Sequence, residues 1–219
     1  MSRPAEELRY GQVDEVFVDR LETLSPDDDG PFWMLNLMHY RDRADYPPDH
    51  PDAALGRTGQ QADDVYAPVD ILADLGAAIV FFGDVVEQLD DDPGARWDRV
   101  AIVRYPTVRS FVEMQDRPDF VARHVHKDAG MLRTVISLCH PVAGTLGAGR
   151  RVLVELLGPG EPPPAYDGRL VLEVAGTPVG DGRPWAHLVL TDVTASGSEP
   201  VPHPEATRVV VDALIQEMP

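Results

Sequence analysis

The residues best suited to chemistry lie in one stretch, from Arg96 to Met131. Arg104 and Tyr105 end an apolar run at Pro106. A guanidinium placed there can hold a carboxylate or an enolate through a two-pronged hydrogen bond. A salt bridge to a neighbouring acid such as Asp119 accounts for the same arginine equally well. His124 and His126 follow, each with an imidazole that titrates near neutrality and can serve as a general base. Their spacing of two turns them about 200° apart on a helix, which sets joint chelation of one metal aside. Asp128 stands one turn after His124 and can orient it. Surface or capping roles compete with catalysis for both histidines. The candidate catalytic residues are therefore His124, His126 and Arg104, with no metal.

Five further residues are candidates for holding a ligand: Asn36, Tyr105, Tyr66, Trp97 and His39. Asn36 is the only polar residue in the middle of the apolar run Phe32–Tyr40. Its amide can bind a substrate carbonyl or satisfy strand-end backbone, and leaving it unpaired would cost about 1–3 kcal/mol. Tyr66 and Trp97 serve equally as core aromatics. His39, at a strand end, can face the following loop as readily as a pocket. The sequence carries no phosphate loop, nucleophile elbow or dinucleotide fingerprint, and GTLGAG (144–149) reads as a linker, so no cofactor is expected.

These side chains need elements to position them. In Phe32–Tyr40, alternation puts Trp33, Leu35, Leu37 and His39 on one side and Phe32, Met34, Asn36, Met38 and Tyr40 on the other. Both sides are apolar, so the strand must be covered twice. The residues from 41 to 61 form a long Pro- and Asp-rich loop, a lid or a solvated insertion. A helix is expected over 62–75, with Pro68 kinking it or ending its first turn. Strands are expected over 77–89, where Gly83 suggests a bulge, and over 97–105, joined by an acidic turn at 90–94. A helix over 108–115 restarts at Pro118 and stops at Gly130, before a strand over 134–142. The order is β-α-β-β-α-β, an α+β ferredoxin-like unit with an antiparallel sheet. Its second sheet face still needs a partner.

The chain divides into an N-terminal helix and acidic turn (1–30), the ferredoxin-like unit (31–142) and a C-terminal part (150–219). In the first, a helix is expected from near Gln12 to before Ser25. The last reads as β-β-β-α: strands over 151–157, 169–174 and 185–193, then a helix from Pro204 to Met218. DPGARWDRVAIVRYPT and VGDGRPWAHLVLTDVT both run turn, Trp, apolar strand, Thr. The tail is thus either a plain extension or a degenerate second copy. As a copy it would supply the covering sheet within one chain; otherwise a homodimer must supply it.

With 219 residues, 43% of them hydrophobic, the chain has ample material for a core. A net charge of −18 argues against nucleic-acid partners and against anionic membranes. One cysteine, Cys139, excludes an intrachain disulfide. No run approaches the ~20 apolar residues of a membrane span, so a cytoplasmic location is expected. Every basic residue is arginine except Lys127, a pattern consistent with GC-rich coding.

MLNLMHYRDRADY, TGQQADDVYAPV, GAAIVFFGDVV, RWDRVAIVRYP, SFVEMQDRPDF and HVHKDAGM, in this order, resemble the bacterial domain of unknown function 1330. The resemblance covers about residues 29–141 and implies membership of the dimeric α/β-barrel superfamily, with a small-molecule cavity between sheet and helices. It also implies relatives as diverse as cofactor-free monooxygenases, isomerases, cyclases and haem enzymes, so no reaction transfers. Where that family has His-Arg, this chain has His126-Lys127, which puts a bidentate arginine role in doubt. The expected function is a cofactor-independent enzyme of the cyclase, isomerase or monooxygenase type, acting on a hydrophobic oxygenated metabolite of specialised metabolism. The alternative is a non-catalytic ligand-binding or assembly protein of the same fold.

Overall fold

A computed structural model describes residues 8–90, 96–195 and 198–219. Beyond Asp90, the acidic turn expected at 90–94 lies outside the described residues. The strands are β1 (Gln12–Val13), β2 (Phe32–Tyr40), β3 (Ala78–Gln88), β4 (Arg99–Tyr105), β5 (Met131–Ala143), β6 (Arg151–Leu157), β7 (Arg169–Gly180), β8 (His187–Asp192) and β9 (Ala206–Gln216). The helices are α1 (Glu15–Glu22), α2 (Gly59–Tyr66), α3 (Val69–Asp74), α4 (Val108–Asp116) and α5 (Pro118–Gly130).

Eight strands run in the order β7-β5-β2-β4-β3-β9-β6-β8, and pairing of β7 with β8 closes them into an antiparallel barrel. Each half of the chain contributes four strands. Within each, the fourth strand lies beside the first, then the third, then the second: β5-β2-β4-β3 and β9-β6-β8-β7. The halves join where β5 meets β7 and where β3 meets β9.

Alternation along β2 decides the layers. Leu35 and Leu37 point into the barrel with Val100, Ile102, Val135, Val154, Leu172, Leu188 and Val211, drawn from both halves. Phe32 and Met34 point outward, where Phe17, Leu21, Ile71, Leu72, Met114 and Phe120 of the helices cover them. The apolar inner face of the first four strands is therefore buried by the last four. On the outside of the second half, Leu157, Val171 and Val189 pack with Val201, Ala165 and Ala206, residues of its connecting segments and β9. Buried Glu155 accepts hydrogen bonds from Val201 N–H (2.8 Å) and Arg208 Nε (3.1 Å), pinning one of those segments.

Three expectations require correction. The C-terminal helix is strand β9: Val209, Val211 and Ala213 face the barrel interior at period two, and three successive valines suit a pleated surface better than a helix. The helix expected over 62–75 is two helices, α2 and α3, because Pro68 cannot donate within a continuous helix. It also starts earlier, at a capping box in which Thr58 and Gln61 satisfy each other's backbone N–H groups. Near the N-terminus, Gln12 and Val13 form β1, and α1 begins only at Glu15 with Asp14 as its cap (3.0 Å). Gly83 does sit at a register shift between β3 and β9, where a Cβ would stand 2.5 Å from the Asp212 carbonyl oxygen.

Candidate functional site

The largest gathering of perturbed acid–base groups lies where α2 and α5 cross over the outer face of the sheet. Gly59 and Gly130 let the two backbones touch; a Cβ on either would fall on the other's carbonyl oxygen. Arg41, just after β2, stitches them, its N–H donating to Gly130 O (2.9 Å) and its carbonyl accepting from Gly59 N–H (2.9 Å). This close approach brings Asp63 and Tyr66 of α2 to the face of α5 that carries Phe120, His124 and Lys127 at helical spacing.

Tyr40, at the end of β2, donates its hydroxyl to Asp63 (2.6 Å). Asp63 is 8% exposed, and burial raises its carboxyl above the ordinary range against the opposing pull of Tyr40, Lys127 and Arg99. Lys127 places its ammonium 5.1 Å from the Tyr66 ring centre and 5.8 Å from that of Tyr10. Its dense surroundings lower its pKa, partly offset by the charges of Asp63 and Asp128. Burial raises the Tyr66 phenol well above its usual value. Tyr66 also lies 6.0 Å from the His124 ring and 5.8 Å from Phe120, itself 4.7 Å from His124. Beside this group, Arg99 donates to Asp84 (2.9 Å) and Asp64 (2.7 Å) and lies over the Phe82 ring (4.7 Å). Together the site offers a weakened ammonium, a carboxyl biased toward its neutral form, phenols and an imidazole: proton donors and acceptors within an aromatic wall.

The residues expected from sequence do not gather in one place. Tyr66 and His124 belong to the site just described. Asn36 faces the same layer from the middle of β2, donating to Met34 O (3.2 Å). Tyr105 also faces the helices but is core: its ring stacks on Phe32 (5.1 Å, 8°) and its hydroxyl points to Met114 Sδ (3.8 Å).

His126 projects from the other side of α5 into the long loop. Its Nδ1 lies 2.9 Å from the Tyr46 hydroxyl, and Tyr46 stacks on His50 (4.9 Å). The loop is therefore packed onto α5 by aromatic contacts, and burial lowers the His126 pKa. Trp97 fills the barrel interior beneath the Arg133 guanidinium (4.3 Å). His39 pairs with Asp98 (2.7 Å) at the strand end. Arg104 is exposed at the rim, beside Trp33 and Ala78 across the sheet from the helices, and Asp119 pairs instead with Arg117 (2.8 Å). The structure thus does not bring Arg104, His126 and Asn36 together: strand alternation sends Arg104 to the opposite face, and helical spacing sends His126 to the opposite side of α5.

Lys127, Asp63, Tyr40 and Tyr10 were not among the expected site residues. Lys127 had one available signal, as the only lysine among nineteen basic residues. Two clefts open at the barrel end near β1. One, of about 650 Å³, is lined by Gln12, Asp14, Thr177, Arg183 and Trp185; the other, of about 620 Å³, by Tyr10, Gln12, His39, Arg96 and Arg133. Tyr10 thus has contacts on two sides, the second cleft and Lys127. Among the described residues no cluster has metal-binding geometry, and no helix is long and apolar enough to cross a membrane.

No family model matches the chain, and no curated protein matches it. Among solved structures it is similar to the methylated RPA0582 protein, with a TM-score of 0.50 and 29% identity, over 61% of this chain and 96% of that one. A second structure of RPA0582, from Rhodopseudomonas palustris and of unknown function, gives a TM-score of 0.49 at 29% identity, over 59% and 94%. A proposed monooxygenase from Lactobacillus acidophilus aligns over 87% of this chain and 98% of that one, at 12% identity and a TM-score of 0.42.

Proposed function

We propose that the chain is a small-molecule enzyme of the α/β-barrel type, using Lys127, the Tyr40–Asp63 pair, Tyr66 and His124 for cofactor-independent acid–base chemistry on a hydrophobic oxygenated substrate. One observation carries this reading. An ammonium is held against two tyrosine faces, beside a carboxyl whose ionisation burial opposes. Groups whose environments drive them toward neutral forms at ordinary pH are suited to exchanging protons with a substrate. The aromatic wall supplies apolar area for the rest of the molecule.

The architecture supports kinship with ferredoxin-like barrels. In the first half a β-α-β-β-α-β order accompanies the fourth-first-third-second strand arrangement, and the second half repeats that arrangement with no helix among its described residues. The tail is then a degenerate second copy, and one chain holds both sheets that a homodimer would otherwise combine. The register adds detail. Asn36 pairs with Ala101, four residues after Trp97, and Glu155 pairs with Val189, four residues after Trp185. Each half so places one polar side chain at the same point of its first strand. Kinship with the domain of unknown function 1330 rests on the motif resemblance alone and brings no reaction with it.

The test is a binding and turnover screen of aromatic and polyketide-like oxygenated compounds, read by thermal shift and product mass. A hit whose binding or conversion drops at least about tenfold in Y66F or H124Q, and not in R104Q, supports the site; each 1.4 kcal/mol of lost interaction gives that factor. Hits that respond only to R104Q would place the site at the barrel rim instead.

A further inference from the structure

The chain contains eighteen arginines and one lysine, Lys127. Arginine evidently serves wherever a cation alone is required, in pairs such as Arg117–Asp119, Arg123–Asp70 and Arg151–Asp212. Lys127 occupies a different setting. Among the described residues no carboxylate lies within ion-pair distance of it, and its contacts are the Tyr66 and Tyr10 ring faces. What a lysine offers there and an arginine cannot is a nucleophilic amine, since a guanidinium stays protonated at any physiological pH.

We propose that Lys127 is a covalent nucleophile that forms an imine with an aldehyde or ketone ligand, so that the site is built for carbonyl compounds. This rests on reading the α2–α5 crossing as the functional site. The neutral Nζ adds its lone pair to the carbonyl carbon, and the C=O π pair moves to oxygen, which takes up a proton. The nitrogen then releases one proton to water, the hydroxyl takes up a second proton, and the carbinolamine expels it as water while the freed nitrogen pair forms the C=N bond, leaving a protonated imine. No oxidant, reductant or metal enters. Asp63, its carboxyl biased toward the protonated form and close enough for its charge to act on Lys127, is the proton donor for the oxygen. Two tyrosine faces also suit the product, because an iminium cation, like an ammonium, is attracted to a π face. Lys127 is half-buried rather than sealed off, so a ligand can reach it from the surface of the helix layer.

A single lysine makes the experiment unusually clean. The full chain is incubated near neutral pH with 4-hydroxybenzaldehyde and cyanoborohydride, and adducts are located by peptide mass mapping, with the urea-unfolded chain treated alongside. The expected result is an adduct on Lys127, formed at least about tenfold faster than in the unfolded chain. Labelling of Lys127 no faster than in the unfolded chain would overturn the proposal. Because the comparison uses unmodified protein, it does not depend on a variant folding. It is also separable from the ligand screen: loss of binding in Y66F or H124Q together with a sluggish Lys127 would leave the acid–base site standing and remove the imine.

Discussion

At the scale of single residues, the buried hydroxyl–carboxyl pair of Tyr40 and Asp63 connects the end of β2 to α2. Replacing Asp63 by Ala strands the Tyr40 hydroxyl in a buried position, and is expected to cost about 1–3 kcal/mol in urea unfolding. Asp63→Asn keeps an acceptor for that hydroxyl and should recover most of the loss. Equal losses in the two variants would mean that the hydrogen bond is not what stabilises this junction. His126 makes a second prediction. Its folded-state pKa lies below the ordinary histidine value, through burial outweighing the attraction of Asp52. Below about pH 6.5 the unfolded chain therefore binds more protons than the folded one, and stability falls as the pH drops through that window toward the folded value. His126→Gln should lose this dependence. The stability difference between wild type and H126Q is expected to shrink or reverse between pH 7.5 and pH 5.5; a constant difference would sink the assignment.

At the scale of elements, the site depends on how closely α2 and α5 approach. Gly130→Ala places a methyl group against the Gly59 carbonyl, where backbone rather than a flexible side chain would have to move. Overpacking of this kind typically costs about 1–3 kcal/mol. Because Asp63 and Tyr66 ride on α2, the same substitution should also reduce ligand binding at the site. Thermal unfolding together with the ligand screen separates the two effects. Thr58→Ala removes the reciprocal cap that starts α2 and should cost ~1 kcal/mol without touching any group of the site. Unchanged unfolding of T58A would show that α2 is held by its packing on α5 alone.

At the scale of the whole molecule, the barrel joins two half-sheets that cannot stand apart. A fragment ending at residue 146 would expose the inner face formed by Leu35, Leu37, Val100, Ile102 and Val135, now covered by strands of the second half. Such a patch drives association. The fragment is expected to dimerise or aggregate in light scattering while the full chain shows no such dependence on the missing strands. A soluble monomeric fragment would mean that the first half covers its own inner face in some other way.

The sequence by itself determined the β-α-β-β-α-β order from β2 to β5, though not the strand β1 or the split of the helix at Pro68, because apolar periodicity, Pro118, Gly83 and Gly130 act over a few neighbours. It also determined that β2 would be covered on both faces, since alternation along Phe32–Tyr40 leaves no polar side. It misread β9, where residues 206–214 carry apolar side chains at spacings that fit both periods, and only pairing with β3 and β6 on either side selects the strand. The candidate site was half legible. Tyr66 and His124 were named, but Lys127 and Asp63 were not. Their significance comes from burial and from ring faces contributed by Tyr10 and Tyr66, 117 and 61 residues before Lys127 in the chain. Arg104 and His126 were chemically plausible and lie elsewhere, because residue type sets what a side chain can do and the face it occupies sets whom it meets. Tertiary structure alone decided that the tail closes the barrel and that the only lysine stands against two tyrosines.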